Sequence, residues 1–478
     1  MSVRTRFAPS PTGFLHVGSA RTALYAWLFA RKHGGQFILR IEDTDKEREV
    51  EGAIGHVMES LHWLGIEWDE SIDVGGPYEP YIQSERLTLY RKYAEQLLAA
   101  GFAYPDPYTE EEVAVFRAKA EEEKRPFLYR DHRPETISEW DGARPLRFRT
   151  PRIARYTWND AVLGELSAGE EALDDFILIK SDGYPTYNFA HVIDDIEMKI
   201  THVMRGQEFV SSTPKFLALY EALDMPPPVF ATLPPILGDG GNKKLSKRDG
   251  AKDILEYRRE GYLPSAMVNF LALLGWNPGG DREIFLSLHE LIEAFDIARI
   301  QRSGAQFDDE KLKHLNREHL RELTDEAFMQ LGDFSAPDKA RLMRAIPVLK
   351  ERAYTFEEAR EMLLGELSCL FAVPALSKEM LCAKEPQDRP GATKIALEAV
   401  LEVLSELPAL LPTEAVKMAI MPLADAEEAK GKGGRGMVLW PLRYALSGAE
   451  RSPDPFTLIS ILGTEEATSR VQGALAIL

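Results

Sequence analysis

The sequence is poor in cysteine and in long apolar runs, and both shortages exclude classes of protein. Two cysteines occur among 478 residues, Cys369 and Cys382, too few for a disulfide framework or a four-thiolate zinc site. The longest apolar candidate, residues 266–276, contains Asn269 and is shorter than the roughly 18 residues that a membrane-spanning helix needs. The first residues lack the apolar stretch of a secretory signal. The sequence therefore predicts a cytoplasmic protein with no membrane partner.

Positive charge is scarce overall but is concentrated in one stretch. The chain has 57 Lys and Arg against 76 Asp and Glu, and the resulting net charge of -19 disfavours nonspecific binding to nucleic acid. Residues 143–158 nevertheless contain no acid and carry a basic cluster, Arg144, Arg147, Arg149, Arg152 and Arg155. A protein of this size can place such residues on one face. The alternative is an arginine-rich strand that pairs with the acidic run at 110–123.

The predicted elements change in character near residue 310. Before it, β-rich runs alternate with helical ones, which is the pattern of a parallel sheet with crossover helices. Residues 3–7 predict a strand, a helix begins near Ser19 and ends at Gly34, and residues 36–41 predict a second strand. Ligands of such sheets bind beyond the carboxyl ends of the strands. The loop at 9–18 and the acidic run at 42–45 both fall there.

Beyond residue 310 the strand signals nearly vanish. Segments rich in Leu, Ala and Glu, such as 337–352, 356–371 and 393–407, carry helical periodicity. Prolines separate these segments, and no fixed-period repeat is visible, which disfavours a solenoid. The sequence predicts a helical module for this last third of the chain.

The first motif with chemical content is the Gly- and Pro-rich loop that leads into the first helix. Such a loop presents unsatisfied backbone N–H groups and the positive end of the helix dipole, an arrangement suited to phosphates. His16 can donate to a phosphate oxygen, and Gly18 leaves room for a nucleotide against the backbone. The alternative for this segment is an ordinary turn that needs its glycine, followed by a helix capped by Ser19.

The second motif is a glycine-flanked, cationic loop at residues 240–250. It contains four cations and a serine, opposed only by Asp249. Donors aimed at charge that develops on a leaving group typically change a rate by about 100- to 1,000-fold. The alternative is a solvated surface loop, which is the commonest fate of a lysine run.

Together the two motifs resemble the signatures of class I aminoacyl-tRNA synthetases. Those signatures are usually written His-Ile-Gly-His and Lys-Met-Ser-Lys-Ser; here they read His16-Val17-Gly18-Ser19 and Lys244-Leu245-Ser246-Lys247-Arg248. The departures resemble the bacterial-type glutamyl subclass, as do the strings at 7–13, 40–45, 180–187 and 202–206. The resemblance implies an α/β Rossmann-like nucleotide-binding catalytic domain with an inserted α+β domain, followed by all-α C-terminal domains.

The resemblance also implies a division of the chain. Residues 1–75 and 190–235 form the two halves of the catalytic domain, and residues 76–189 form the inserted domain, which holds the tRNA acceptor end. Residues 236–315 form a stem-contact region that carries the second motif. Residues 316–478 form the anticodon-binding region, in two subdomains that divide near 375.

A glutamate site needs a carboxylate for the ammonium group and an arginine for a carboxylate, since arginine binds carboxylates through paired hydrogen bonds. The resemblance assigns the ammonium to Glu42 and the side-chain carboxylate to Arg205, and it places further glutamate contacts at Arg6, Ala8, Ser10 and Tyr187. The structural alternatives are that Glu42 pairs with Arg40 or Lys46 and that Tyr187 is core packing. Relatives often carry Asn where this chain has His191, so no role is assigned to that residue.

The implied reaction is the ATP-dependent attachment of L-glutamate to tRNA(Glu) through glutamyl-adenylate. ATP, with Mg²⁺ on its phosphates, is expected to contact His16, Gly18, Ser19, Lys244, Leu245, Ser246 and Lys247. His16, Lys244 and Lys247 are the expected catalytic residues, acting through positioning and charge stabilisation. Some relatives hold zinc in the inserted domain. No cysteine occurs in that stretch of this chain, so no zinc and no protein-bound metal site is expected.

The expected tRNA contacts are Arg147 and Arg149 in the inserted domain and Arg352 and Arg443 in the helical region. A glutaminyl enzyme of the usual type is disfavoured, because such enzymes end in β-barrels. Two further classes compete with the synthetase: a nucleotidylyltransferase that uses no tRNA, and a noncatalytic RNA-binding protein. The family expectation is a monomer, and whether tRNA(Gln) is also charged stays open at this point.

Overall fold

The structure is a computed structural model that describes residues 2–238, 243, 245, 252–429 and 434–478. The chain divides into two compact units. Unit 1 contains residues 1–259 and 263–315, and unit 2 contains residues 260–262 and 316–478. Among the described residues, no helix combines the length and the apolar character that crossing a membrane requires.

The strands and helices of unit 1 alternate along the chain. The strands are β1 Arg4–Phe7, β2 Gln36–Leu39, β3 Ala103–Pro105, β4 Leu146–Phe148, β5 Tyr156–Asp160, β6 Gly164–Ala168, β7 Ile177–Ile179, β8 His202–Gly206, β9 Val229–Leu233, β10 Ile236–Leu237 and β11 Ala305–Gln306. The helices are α1 Val17–Lys32, α2 Ala53–Trp63, α3 Leu87–Ala99, α4 Glu110–Glu122, α5 Tyr187–Glu197, α6 Thr213–Ala222, α7 Ile254–Arg259, α8 Pro264–Leu273 and α9 Leu288–Ala294.

Unit 1 contains three parallel strand pairs in its described part: β10–β11, which joins Ile236 to Ala305, and two pairs that lie side by side. β1 pairs with β2 in the register Arg4 to Gln36, and β8 pairs with β9 in the register His202 to Val229. The Thr201 amide donates to the Arg4 carbonyl at 2.9 Å, so the start of β8 lies beside β1. The parallel pairing predicted for the first two strands is confirmed, although β2 ends at Leu39 rather than at residue 41.

Helix α1 connects β1 and β2, and its sequence explains both of its ends. It begins at Val17, two residues earlier than predicted, and it is capped by His16 rather than by Ser19. Its apolar residues are buried over most of its length. At its end the Gly35 amide donates to the Ala30 carbonyl at 2.8 Å, and a Cβ at Gly35 would collide with the Val3 carbonyl, so glycine is required there.

The segment between the two parallel pairs forms antiparallel structure. β3, β4 and β7 make a three-stranded antiparallel sheet, and β5 and β6 make a hairpin. Buried residues of the three-stranded sheet, of α3 and of α5 share one hydrophobic core with β8 and β9. This shared core fixes the inserted segment against the parallel strands of unit 1.

Helices dominate unit 2, and no strand occurs in the described residues after Gln306. The helical C-terminal third predicted from the sequence is confirmed. Its helices are α11 Asp325–Leu331, α12 Lys339–Arg352, α13 Phe356–Leu364, α14 Lys378–Leu381, α15 Ala392–Glu406, α16 Thr413–Ala429, α17 Gly436–Ser447, α18 Pro455–Leu462 and α19 Thr464–Leu475, preceded by α10 Asp309–Glu322, whose residues are divided between the units.

Within unit 2, one buried arginine joins three segments. Arg470 of α19 donates to the carbonyls of Cys369 at 2.7 Å, Leu446 at 2.6 Å and Ala372 at 3.2 Å. Carbonyl oxygens that helix ends leave without partners are thereby satisfied. The C-terminal helix is therefore fixed by directed hydrogen bonds in addition to apolar packing.

Candidate active site

A cavity of about 770 Å³ lies in unit 1 beyond the carboxyl ends of β1, β2 and β8. Its walls come from the loop after β1, the first turn of α1, the segment after β2, the start of α5 and the ends of β8 and β9. The predicted site residues that line it are Arg6, Ala8, Ser10, His16, Gly18, Ser19, Glu42, Tyr187, Arg205 and Leu245. Lys244, Ser246 and Lys247 lie outside the described residues.

His16 organises the end of the cavity formed by α1. Its Nδ1 accepts from the Gly18 amide at 3.1 Å and from the Ser19 amide at 3.4 Å, and its Nε2 lies 3.3 Å from Ser19 Oγ. The side chain therefore caps the helix, which holds the imidazole at the positive end of the helix dipole. A Cβ on Gly18 would come within 3.2 Å of this ring, so glycine keeps the turn open.

Arg205 stands at the end of β8 with donors that the described residues leave unpartnered. Its Nη2 donates to Thr213 Oγ1 at 2.7 Å, whereas its Nε and Nη1 are buried without a hydrogen-bond partner. The guanidinium lies over the rings of Phe230 and Phe216, at 4.4 and 4.9 Å. Burial lowers the pKa of Arg205 to about 10, so the group is charged at neutral pH. A buried cation with spare donors favours an anionic ligand.

Glu42 is held by a buried network of ion pairs. Arg40 donates to Glu42 Oε1 at 2.9 Å and to Asp195 Oδ1 at 2.9 Å, and Arg6 donates to the same Asp195 oxygen at 3.2 Å. Burial raises the pKa of Glu42 to about 7 despite the two arginines. For Asp195, burial raises the pKa, but Arg6 and Arg40 outweigh it and the net shift is downward. The two carboxyls therefore differ: Asp195 stays ionised, and Glu42 titrates near neutrality.

One of the two structural alternatives for Glu42, an ion pair with Arg40, is therefore observed. Glu42 pairs with Arg40, whereas Lys46 pairs with Asp43 and Glu49. The pairing with Arg40 does not remove Glu42 from the cavity, because Glu42 also lines it. The carboxyl of Glu42 therefore combines an internal partner with a position on the cavity wall.

Tyr187 and His191 form a stacked pair on α5. Their ring centroids lie 4.6 Å apart, and His191 Nδ1 lies 2.7 Å from the Tyr187 carbonyl oxygen. Tyr187 is half-buried and lines the cavity, so it is a wall residue as well as a packing residue. His191 is buried, which lowers its pKa to about 3. His191 is therefore a neutral ring that supports Tyr187 from behind.

Several residues that hold the site together were not predicted from the sequence. Asp195 and its neighbour Asp194, which pairs with Arg86 at 2.7 Å, are buried on α5. Arg21 of α1 is buried as well and donates to the carbonyls of Leu274, at 3.0 Å, and of Pro234. The signal available was a pair of acids inside an otherwise apolar helical pattern, since buried acids require partners.

The four predicted tRNA-binding arginines lie in different environments. Arg149 is exposed, Arg352 pairs with Glu366 at 2.7 Å, and Arg443 donates to the Glu450 carbonyl at 2.7 Å. Arg147 requires a correction, because the sequence predicted it to be part of a surface cluster. It is buried, pairs with Asp106 at 2.6 Å and stacks on the Tyr129 ring at 3.4 Å.

The alternative interpretation of the basic cluster, an arginine-rich strand that pairs with the acidic run at 110–123, is wrong about the acidic partner. The acidic run lies on helix α4, and the acid that binds Arg147 is Asp106. Arg144 pairs with Asp141, and Arg152 pairs with Glu221 at 3.4 Å. Arg144, Arg147 and Arg152 therefore have acidic partners, whereas Arg149 is exposed and Arg155, also exposed, donates to Ser167 Oγ at 3.1 Å.

Comparison with known proteins identifies the class. Residues 2–314 match the family model of the catalytic domain of class I tRNA synthetases (E and Q), and residues 290–475 match that of an anticodon-binding domain. The chain is therefore a class I aminoacyl-tRNA synthetase by family, with a catalytic domain followed by an anticodon-binding domain.

Whole-length relatives narrow the class further. The chain is 40% identical to a glutamate–tRNA ligase of Anaeromyxobacter sp. (strain K), covering 99% of this chain and 98% of the relative. It is 41% identical to that of Clostridium botulinum (strain Loch Maree / Type A3), covering 98% and 97%. The crystal structure of a glutamate tRNA ligase from Elizabethkingia meningosepticum, in complex with its amino acid, matches with a TM-score of 0.87 at 37% identity over 100% of both chains. The chain belongs to the glutamate–tRNA ligase family.

Proposed function

We propose that the cavity of unit 1 binds L-glutamate and ATP, forms glutamyl-adenylate there, and passes the glutamyl group to the 3′ end of tRNA(Glu). The observation that carries the proposal is the guanidinium of Arg205. Arg205 lines the same cavity that contains the N-terminus of α1, and its Nε and Nη1 are buried with no hydrogen-bond partner among the described residues. An arginine suited to a carboxylate and a helix terminus suited to phosphates therefore share one enclosure.

In this proposal Arg205 binds the side-chain carboxylate of glutamate. Leaving a buried donor without an acceptor costs roughly 1–3 kcal/mol, so a bound carboxylate removes a cost that the protein otherwise bears. Glu42 binds the α-ammonium group in its ionised form. Arg6, Ala8, Ser10 and Tyr187 complete the amino-acid site from the same walls.

The ATP phosphates lie at the start of α1, near His16, Gly18 and Ser19. An oxygen of the glutamate α-carboxylate attacks the α-phosphorus, the bond to pyrophosphate breaks, and pyrophosphate leaves. The 2′-hydroxyl of the terminal adenosine then attacks the glutamyl carbonyl, and AMP leaves. No residue of this chain becomes covalently attached, so the protein acts by positioning and by stabilising charge. Lys244 and Lys247 are assigned the charge-stabilising role by resemblance.

Mg²⁺ enters the proposal as the companion of ATP. Within the described part of the chain, no three metal-ligating side chains converge on one point. The ion would be held by phosphate oxygens and water, with at most one or two carboxylates, as is usual for Mg²⁺, and no step is assigned to it. Zinc is not part of the proposal.

The proposed domain roles follow the sequence prediction. Residues 1–75 and 190–235 form a Rossmann-like catalytic domain, which the parallel pairs β1–β2 and β8–β9 support. Residues 76–189 receive the tRNA acceptor end, and residues 316–478 receive the anticodon. Arg149, Arg352 and Arg443 are the proposed phosphate or base contacts. We also propose that the protein is monomeric and cytoplasmic.

Pyrophosphate exchange tests the proposal. We expect exchange of labelled pyrophosphate into ATP that requires L-glutamate and is stimulated by tRNA(Glu). Exchange with another small acceptor and no effect of tRNA would instead indicate a nucleotidylyltransferase, and no exchange at all would indicate a noncatalytic protein. Charging of separate tRNA(Glu) and tRNA(Gln) preparations then decides the tRNA specificity, which we expect to be for tRNA(Glu).

A further inference from the structure

His56 of α2 lies between the turn that carries His16 and the segment that begins α7. The Leu15 amide donates to His56 Nδ1 at 3.3 Å, and His56 Nε2 lies 3.2 Å from Asp253 Oδ1. Because Nδ1 accepts from a backbone N–H group, the ring proton is on Nε2 and is donated to the carboxylate. One imidazole therefore connects Leu15, the residue before His16, to Asp253, which lies 197 positions after His56.

Further contacts reinforce this connection. The Ile254 amide donates to the Leu15 carbonyl at 3.0 Å, and His16 and Asp253 form an isolated antiparallel bridge. The ring of Phe14 stacks on that of His56 at 4.4 Å with an interplanar angle of 14°. The side chains of His56 and Asp253 are only 12% and 15% exposed. The turn before His16 is therefore held by backbone contacts and by the His56 ring.

Asp253 has a second duty that orients its carboxylate. Its Oδ1 accepts from the amides of Leu255, at 2.8 Å, and Glu256, at 3.1 Å, and so caps the start of α7. Arg259 lies 3.7 Å from Oδ2. The Ser60 hydroxyl donates to the His56 backbone carbonyl at 2.7 Å and lies 3.3 Å from His56 Nδ1. Both partners of the His56–Asp253 contact are thus fixed by their own helices.

The position of the His16 turn matters because His16 and the N-terminus of α1 form one wall of the cavity. Misplacement by about 1 Å of a group that positions substrate can cost about 100-fold in rate. His56 itself is not among the residues that line the cavity. Any effect of His56 on the reaction must therefore act through its neighbours, of which Phe14 and Leu15 line the cavity next to His16.

We propose that His56 is a positioning residue, which ties Leu15 to Asp253 and thereby fixes where His16 and the start of α1 meet the ATP phosphates. The inference rests on the proposed function for the reaction that it serves. It also predicts an effect on the affinity for ATP, and this prediction does not depend on which amino acid the protein uses.

Four variants separate the two contacts of the ring. His56→Ala removes both; His56→Asn keeps an acceptor near the place of Nδ1, and His56→Gln keeps a donor near the place of Nε2. Asp253→Ser keeps a good helix cap but is too short to reach His56. His62→Ala is the control, since His62 belongs to the same helix and its side chain is 48% exposed.

We expect His56→Ala to lower kcat for glutamate-dependent pyrophosphate exchange by about 10- to 100-fold, with an unchanged KM for glutamate. His56→Asn and His56→Gln should each recover part of the loss, and His62→Ala should match the unaltered protein. The double variant with Asp253→Ser should be no slower than His56→Ala, because residues that act through one contact are not additive. An unchanged kcat in His56→Ala, with or without a lower melting temperature, overturns the proposal.

Calorimetry of ATP binding without glutamate separates this inference from the proposed function. We expect about tenfold weaker binding of ATP to His56→Ala than to the unaltered protein, and equal affinities overturn the positioning role. A protein that binds ATP but shows no glutamate-dependent exchange overturns the proposed function instead. The two failures therefore give different results.

Discussion

Arg40 and Glu42, two positions apart just after the end of β2, form a buried ion pair with Arg40 Nη2 2.9 Å from Glu42 Oε1. Arg40 is completely buried, and the same guanidinium also binds Asp195. Although Arg40 and Arg6 favour the ionised carboxylate, burial dominates and places the pKa of Glu42 at about 7. The residue proposed to bind the ammonium group is therefore one whose charge changes near neutral pH.

This titration predicts a pH dependence of glutamate use. A protonated Glu42 cannot bind an ammonium group as a carboxylate does, so kcat/KM for glutamate should fall below a midpoint near pH 7 in the free enzyme. Glu42→Gln should raise KM by about 10- to 100-fold and remove this limb of the profile. Glu51→Gln, at an exposed position nearby, is the matched control. A profile with the same midpoint in Glu42→Gln would assign the titration to another group.

The same shift fixes the sign of its effect on stability. Because the pKa of Glu42 in the folded state lies above the ordinary 4.5, the folded state binds more protons than the unfolded state between about pH 4.5 and 7. The contribution of Glu42 to the free energy of unfolding is therefore present at low pH and is lost as pH rises through that window. In denaturant titrations, the free energy of unfolding of the unaltered protein should fall more between pH 5 and pH 8 than that of Glu42→Gln. Equal changes in the two proteins would contradict the assignment to Glu42.

Asp195 predicts a large effect on stability. Its Oδ1 receives donors from both Arg6 and Arg40, and removing the charge leaves two buried guanidinium groups without their shared anion. We expect Asp195→Asn to lower the free energy of unfolding by about 3–5 kcal/mol. Asp45→Asn is the control, since Asp45 and its partner Arg48 are 39% and 75% exposed, and its cost should stay below about 1 kcal/mol. Equal losses in the two variants would show that the buried network is not what stabilises this part of unit 1.

The sequence was sufficient for the elements whose pattern is local. The first two strands, helix α1 and the helical segments at 337–352 and 393–407 follow from periodicity, glycine and proline, and their ends lie within two residues of the predicted ones. The predicted helical segment at 356–371 is shorter in the structure, where α13 ends at Leu364. The alternative interpretation of the first motif places the cap of α1 at Ser19, because serine is a common capping residue, whereas the structure uses His16, three positions earlier. Cap choice depends on the backbone angles of the turn, which residue type alone does not specify.

The environment of the arginines could not be predicted from local pattern. Arg147 belongs to a run without acids, yet its partner Asp106 lies 41 positions earlier and reaches it only through the pairing of β3 with β4. Arg205 and Arg6 come together with Glu42 for the same reason, since parallel strands bring their carboxyl ends to one edge. Residue type indicated the chemistry, and long-range pairing decided which side chains are available for it.

We predict that replacing Arg205 weakens the use of glutamate without affecting the use of ATP. Arg205→Ala removes the charged donors from the cavity, and we expect KM for glutamate to rise by about 10- to 100-fold while KM for ATP changes little. Arg205→Lys should recover only part of the loss, since lysine cannot make the paired contact. Arg91→Ala is a suitable control, because Arg91 pairs with Glu95 on the surface and stacks on Trp140, outside the cavity. An unchanged KM for glutamate in Arg205→Ala would remove Arg205 from the site.

Lys247 lies outside the described residues. We predict that replacing it slows the chemical step and leaves tRNA binding unaffected. If it stabilises charge on the departing pyrophosphate, Lys247→Ala should slow adenylate formation by about 100- to 1,000-fold and leave tRNA affinity nearly unchanged. Single-turnover formation of glutamyl-adenylate is the measurement. Lys243→Ala, one position outside the family motif, is the control and should retain most of the rate. Equal rates for Lys247→Ala and the unaltered protein would contradict the assigned role.

Arg147 and Arg149 lie two positions apart and predict opposite outcomes for tRNA. Arg147 is buried against Asp106 and Tyr129, whereas Arg149 follows the end of β4 and is exposed. Arg149→Ala should weaken tRNA binding and leave the melting temperature unchanged. The slope of log affinity against log salt concentration should decrease in magnitude by about 1. Arg147→Ala should lower the melting temperature and leave the salt dependence of tRNA binding as it is, since its charge is already used inside the protein. Titrations of tRNA(Glu) at several salt concentrations distinguish the two, and a reduced salt dependence in Arg147→Ala would mean that this buried arginine reaches the phosphates after all.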